Sequence, residues 1–415
     1  MTDRRRFLGH AGRLLFGSLA ATATRNAPAA SFTGIASMSE ATQEPARGPA
    51  TTTLFLCGDV MTGRGIDQVL PHPGDPVLHE GYATSARDYV MLAERANGPI
   101  PRPVEFAYIW GDALAEWARI APDLRIVNLE TAVTTRDDWQ RGKGIHYRMH
   151  PANVPCLTAA GIDCCVLANN HVLDWGEAGL AETLETLRRS GLQPVGAGHD
   201  EAEAAAPAVL PTAHGRVLVF SFGVTSSGIP PDWAAAAARP GVNLLADLSQ
   251  ATLRQIATHV NASKRAADIV VASIHWGGNW GYAIPADHRR FAHGLIDQCG
   301  VDAVHGHSSH HPLGIEVYRD RPIFYGCGDF LNDYEGISGY EAFRGDLSLM
   351  YFLTIDAVSA RLRRLKMVPM QTRRFRLNRA SAADARWLQR VLDRESRPLG
   401  SRVEAEREGS LALRW

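Results

Sequence analysis

The chain has 415 residues, of which 45% are apolar and 21% charged, and its formal net charge is −1. That balance excludes an intrinsically disordered polypeptide and allows one large α/β domain or two ordinary ones. Near-neutrality also removes the global signature of a nucleic-acid or membrane-surface binder, although a local basic patch stays open.

The chain opens with Arg4, Arg5 and Arg6 ahead of Phe7-Leu8, then a short apolar run broken by Gly17 and Ser18, then an Ala-rich stretch. Charged, apolar, then small is the order of a secretory leader, and the apolar run is too short for a stable membrane span. Arg4-Arg5-x-Phe7-Leu8 resembles the twin-arginine signal, which implies the twin-arginine export machinery and a periplasmic or extracellular product. An uncleaved leader that holds the protein at the membrane is the alternative. The expected organisation is a leader over 1–30, a linker over 31–52, a main domain over 53–374, and a packed helix and tail over 375–415.

Apolar runs at 53–60, 124–130, 163–169, 217–224, 268–276, 301–306, 322–328 and 349–356 are β-branched or nearly continuously apolar. Strands buried on both faces read this way. Between them, 177–191 places Leu180, Leu184 and Leu187 on one helical face and stops at Gly191, while 249–265 and 287–300 carry similar patterns. Alternating strand and helix predicts an α/β fold with substantial parallel sheet. The proline-rich segment 71–106 predicts an irregular surface insertion, and 381–394 a late helix. Cys57, Cys156, Cys164, Cys165, Cys299 and Cys327 form no CxxC pair, and several lie in apolar runs. They read as core residues rather than a disulfide framework.

The strand candidates end alike: CGDVMTGRG (57–65), VNLET (127–131), LANNHVLDWG (167–176), IHWGGNWG (274–281) and HGHSSHH (305–311). In α/β sheets, ligands collect at the carboxyl ends of strands, so Asp59, Glu130, Asn170, His275, His307 and His310 are candidates to share one cleft. Carboxylates, an amide oxygen and imidazoles are a donor set for one or two divalent ions, manganese, iron or zinc. Plainer readings stand beside this one. Asp59 starts a turn, Asn128 takes the place of Glu130, and His275 is a satisfied core histidine. His305 and His311 are expected to flank the site, His146 and His150 to be exposed loop residues, and Asp174 and Trp175 to stabilise a turn. Trp276 and Trp280 either line the cleft or fill the core.

In this order, GDVMTGRG, VNLET, LANNHVLDWGEAGLAETLETL, IHWGGNW and GHSSHHPLGIEVYRDRPIFYGCGDF resemble the calcineurin-like metallophosphoesterase superfamily. The likeness is greater to its CapA branch, the capsule and poly-γ-glutamate synthesis proteins, and covers residues 53–356. It implies a four-layer α/β/β/α sandwich of two mixed β-sheets with metals at one sheet edge. By position it implies Asp59 and His310 on a first ion, Asn170, His275 and His307 on a second, and Glu130 bridging both. His171 is implied as the non-ligand proton donor, and Arg64 is expected as a clamp on the substrate anion. Met61 stands where the phosphoesterase pattern has histidine, and Asp329 where CapA-like proteins usually carry asparagine; Asp329 and Asp333 are the candidates to compensate. The function implied is an exported metal-dependent hydrolase of phosphate esters or related acid derivatives. Its alternative is a non-catalytic accessory factor that binds an anionic capsular polymer such as poly-γ-glutamate and helps assemble or export it.

Overall fold

The computed structural model describes residues 50–415, so the leader and almost all of the linker lie outside the described residues. The main path of a ten-stranded sheet runs Arg402–Ala405, Leu411–Arg414, Leu362–Thr372, Leu347–Asp356, Thr51–Val60, Leu124–Leu129, Cys164–Val166, Gln193–Val195. Asp329–Leu331 adds beside Thr51–Val60, and Leu377–Arg379 beside Leu362–Thr372. A six-stranded sheet runs Ile315–Tyr318, Arg321–Phe324, Ala303–His307, Ile269–His275, Gly215–Gly223, Ala208–Thr212. Both sheets mix parallel and antiparallel pairs.

Strand periodicity divides the apolar side chains among three cores. Leu54 and Leu56, with Ile126 and Val166, pack against Val217, Val219, Ile269 and Val271 of the second sheet. Phe55 and Cys57, one residue out of phase, pack with Val127 and Cys165 against Trp117 and against Leu180, Leu184 and Leu187 of the helix Gly176–Arg189. On the far face of the second sheet, Leu218, Phe220, Val270 and Ala272 meet Leu253, Ile256 and Val260 of Gln250–Ser263 and Phe291 and Leu295 of Ala286–Cys299. The layers are therefore helix, sheet, sheet, helix, the expected four-layer sandwich. Each central strand is covered on both faces, which is why its sequence shows no polar alternation. Each fully buried Leu or Ile contributes about 1.5–3 kcal/mol by leaving water.

Two segments differ from expectation. The proline-rich stretch contains a helix, Ala86–Asn97, started by a Ser85/Asp88 capping box and burying Ala86, Tyr89, Val90 and Ala93. The C-terminal tail continues the ten-stranded sheet: Leu411–Arg414 pairs with Leu362–Thr372, and Leu388 and Leu392 of Ala382–Ser396 enter the core between the sheets. All six cysteines are buried and free. Among the described residues no helix is long and apolar enough to cross a membrane.

Candidate metal centre

Parallel pairing brings the strand ends to one rim. Asp59 lies opposite Asn128 on one side and Asp329 on the other, and His275 lies opposite His307. The approach at Asp59 is close enough to require glycine, because a Cβ on Gly58 would lie 1.5 Å from the Gly328 carbonyl oxygen. That carbonyl accepts from the Asp59 N–H at 3.0 Å.

Two sets of ligand atoms form there, Asp59 with His275 and His307, and Asp59 with His310 and Asp329, each set within 4.8 Å. The Nδ1 atoms of His275 and His307 are 2.7 Å apart, and His310 Nδ1 is 2.9 Å from Asp329 Oδ1. His275 Nε2 lies 3.0 Å from Asn170 Oδ1. Glu130 Oε1 is 3.7 Å from Nε2 of both His275 and His171. The six residues expected as ligands are thus brought together. The carboxylate common to both sets is Asp59, whereas Glu130, expected to bridge, sits between His171 and His275. Asn128 donates to Asp59 Oδ1 at 2.7 Å, which makes it a support for that carboxylate, and Asn169 in turn donates to Asn128 Oδ1. His305 has both ring nitrogens engaged, with Ser273 Oγ and the Cys57 carbonyl, and flanks the site.

Electrostatics supply the test of whether these residues fit a cation. Burial, then the charge of Asp329, pushes Asp59 up to about 7. Burial, then Asp59 and Asp329, raises the Glu130 carboxyl well above its ordinary range, and its Oε2 is buried without a hydrogen-bond partner among the described residues. His275 and His307 are pushed well below the ordinary imidazole value by burial and by neighbouring histidines, so they are neutral. Burial opposes the charged form of His310, but Asp329 and Asp59 outweigh it and raise its pKa. Three buried carboxyl groups face the imidazole of His310 and, at Glu130, the more distant Lys143, and neutral imidazoles with ionised carboxylates are the ligating forms. The donor set fits a divalent ion.

His171 is 6% exposed, with Nδ1 2.6 Å from Asp174 Oδ2 and its ring edge-on to Tyr147. Asp174 therefore does more than stabilise a turn: it fixes the His171 ring and leaves Nε2 facing Glu130. Burial lowers His171 to about 4, with Lys143 adding to the effect and Asp174 opposing it. Lys143, which no sequence pattern marked, binds Asp174 and the Asn170 carbonyl and lies 3.1 Å from His171 Nδ1.

Arg64 is placed otherwise than expected. Its Nε and Nη2 donate to Asp333 at 3.1 and 2.5 Å, and Nη1 donates to Glu80 at 3.0 Å and to Tyr89 OH at 2.9 Å. Four of its five donors are taken and two carboxylates neutralise it, so it is a buried structural cation rather than a clamp for a substrate anion. The same pairing removes Asp333 as a substitute ligand. One further expectation changes, and one open alternative is resolved. His146, expected to be exposed, is 1% exposed, between Trp139 and Trp175. Trp276 is buried, stacked on His288, whereas Trp280 lines the cleft.

That cleft, of about 1210 Å³, is lined by His310, Asn279, Tyr334, Trp280 and Tyr340 and also by Arg95 and Arg373. Trp280 and Tyr340 stack at 4.1 Å. Arg95 and Arg373 are exposed, and neither has a carboxylate within ion-pair distance among the described residues.

Residues 53–334 match the family described as bacterial capsule synthesis protein PGA_cap. The chain is 49% identical over 360 residues, 86% of its length, to 94% of a probable polyglutamine synthesis accessory protein of Mycobacterium tuberculosis. It is 29% identical over 278 residues, 66% of its length and 62% of the relative's, to the PGA biosynthesis protein CapA of Bacillus subtilis. A phosphatase from Mycoplasma pneumoniae superposes at a TM-score of 0.44 with 11% identity, over 79% of this chain and 96% of that one, a likeness too loose to carry functional weight. By sequence match across most of its length, the chain belongs to the bacterial capsule synthesis protein family PGA_cap.

Proposed function

We propose that the protein is a metal-dependent hydrolase of phosphate esters or related acid derivatives of the cell envelope or capsule. The observation that carries this reading is the pair of ligand sets sharing Asp59, one member of which, His310, also lines the large cleft. Asp59, Glu130, Asn170, His275, His307 and His310 hold one or two divalent ions, manganese, iron or zinc. Such ions neutralise phosphoryl oxygens and lower the pKa of water. The chain's own part is to orient these groups and to move a proton. Asn128 and Ser273 fix the ligands Asp59 and His307. Asp174 orients His171 through Nδ1 and partly offsets the burial that lowers its pKa to about 4, so the neutral imidazole takes up a proton from the attacking water at Nε2 and hands it to the departing oxygen. The test is turnover of a chromogenic phosphodiester with added manganese or zinc. His275→Ala and His171→Ala are expected to lower it by at least a hundredfold while circular dichroism is unchanged. Turnover equal to that of the parent in both variants contradicts the reading.

A second reading rests on the cleft, which is larger than one phosphate ester needs and carries two arginines without carboxylate partners. In that reading the protein is an accessory factor that binds an anionic capsular polymer, the accessory role being in keeping with the name of its Mycobacterium tuberculosis relative. Polymer binding retained in His275→Ala, with no turnover under any metal, favours it. Both readings place the protein outside the cytoplasm through the twin-arginine machinery. Retention of Arg4→Lys, Arg5→Lys protein in the cytoplasm of its host tests that part.

A further inference from the structure

The tripeptide Cys-Gly-Asp occurs twice, at 57–59 and 327–329, and the fold lays the two copies side by side. Asp59 and Asp329 are register partners in parallel strands, and the glycines allow the backbones to touch, Gly58 against the Gly328 carbonyl. Asp329 is 3% exposed. Its Oδ1 lies 2.9 Å from His310 Nδ1, and its Oδ2 accepts from Asn332 Nδ2 at 2.8 Å, which fixes the carboxylate toward the ligand set. Met61 is fully buried with its sulfur against Tyr334 OH, and a thioether is a soft donor that hard divalent ions avoid. Of the nearby carboxylates, Asp333 is bound to Arg64, and Glu335 accepts from the backbone N–H groups of Arg374 and Phe375.

We propose that Asp329 supplies the ligand that Met61 cannot, so that the centre has two unlike halves. This rests on the metal-dependent reading above. One half, Asp59, Asp329 and His310, offers two carboxylates and one imidazole. The other, Asp59, His275 and His307, offers one carboxylate and two imidazoles. Carboxylate-rich sites suit manganese and magnesium, and imidazole-rich sites suit zinc and iron. The first half therefore prefers manganese and the second zinc, and the centre holds a mixed pair when both are present.

The experiment is titration of metal-free full-length protein with Mn²⁺, followed by electron paramagnetic resonance, and then with Zn²⁺ in competition. The parent is expected to bind two Mn²⁺ ions, of which Zn²⁺ readily displaces one. Asp329→Asn is expected to weaken the zinc-resistant Mn²⁺ site at least tenfold, and Asp329→Ala to abolish it, while the other ion stays. Circular dichroism and thermal melting confirm that each variant is folded. Folded Asp329 variants that hold both Mn²⁺ ions with parental affinity overturn the proposal and leave the metal-dependent reading standing. A parent that binds neither Mn²⁺ nor Zn²⁺ overturns both.

Discussion

Two buried charge clusters sit close together in this protein, and only one of them is complete. Around Arg64, both Asp333 oxygens and both Glu80 oxygens accept hydrogen bonds, and the guanidinium lies over the rings of Tyr89 and Tyr147. Around Asp59, three carboxyl groups face the imidazole of His310 and, at Glu130, the more distant Lys143, and Glu130 Oε2 has no hydrogen-bond partner among the described residues. Burial is equal in the two, so burial does not separate structure from function here. Completeness does. A closed network holds the loops together, and an open one marks where a cation from outside belongs.

The comparison breaks most easily at the closed cluster. Arg64→Ala leaves Asp333 and Glu80 buried without their cation and is expected to lower unfolding stability by about 3–5 kcal/mol in chemical denaturation. It should do so whether or not metal is bound. Equal stability of variant and parent would mean that the cluster is not structural.

The open cluster predicts an unusual pH dependence. The folded Asp59 carboxyl titrates near 7, above its unfolded value of 3.8, so the folded state holds the extra proton between these values. The Asp59 contribution to the stability of the metal-free protein therefore falls as pH rises from about 4 to about 7, while the buried His171, His275 and His307, whose pKa values are lowered, contribute the opposite slope below about 6.5. Thermal melting of metal-free parent and Asp59→Asn across that range isolates the Asp59 contribution: the stability of the parent relative to the variant is expected to fall as pH rises, and a flat or rising difference contradicts it. Glu130→Gln sharpens the same point. Removing a buried carboxylate should stabilise metal-free protein by about 1–3 kcal/mol at pH 8 while weakening ion binding. The smallest effect is expected in the cleft, where Arg95→Ala with Arg373→Ala should change stability by about 0.5 kcal/mol or less each. Binding of poly-γ-glutamate at low salt should nevertheless weaken several-fold in the double variant.

The sequence revealed most where chemistry and periodicity coincide. Continuous apolar runs located the central strands because both sheets are covered on both faces, and the polar residues ending those runs come together at one rim because parallel strands end together. It revealed least where the decisive partner is remote or unpatterned. Nothing near Arg64 announces Asp333, 269 positions away, so an arginine after a strand looked like an anion clamp. Lys143 lies in a loop without periodicity, and only folding brings its ammonium to Asp174 and His171. The helix Ala86–Asn97 was hidden by prolines on either side, although its Ser85-x-x-Asp88 cap was visible. Asp329 was legible through the second Cys-Gly-Asp, a signal stronger than the asparagine-to-aspartate difference that drew attention to it.

The central claim is that a divalent ion completes the Asp59 cluster. Elemental analysis of the protein purified from its own host, paired with its melting temperature before and after chelation, tests this most directly. The account predicts at least one tightly held divalent ion per chain and a clear drop in melting temperature at pH 8 when it is removed. Protein that carries no stoichiometric metal and melts at the same temperature with and without chelator would contradict it.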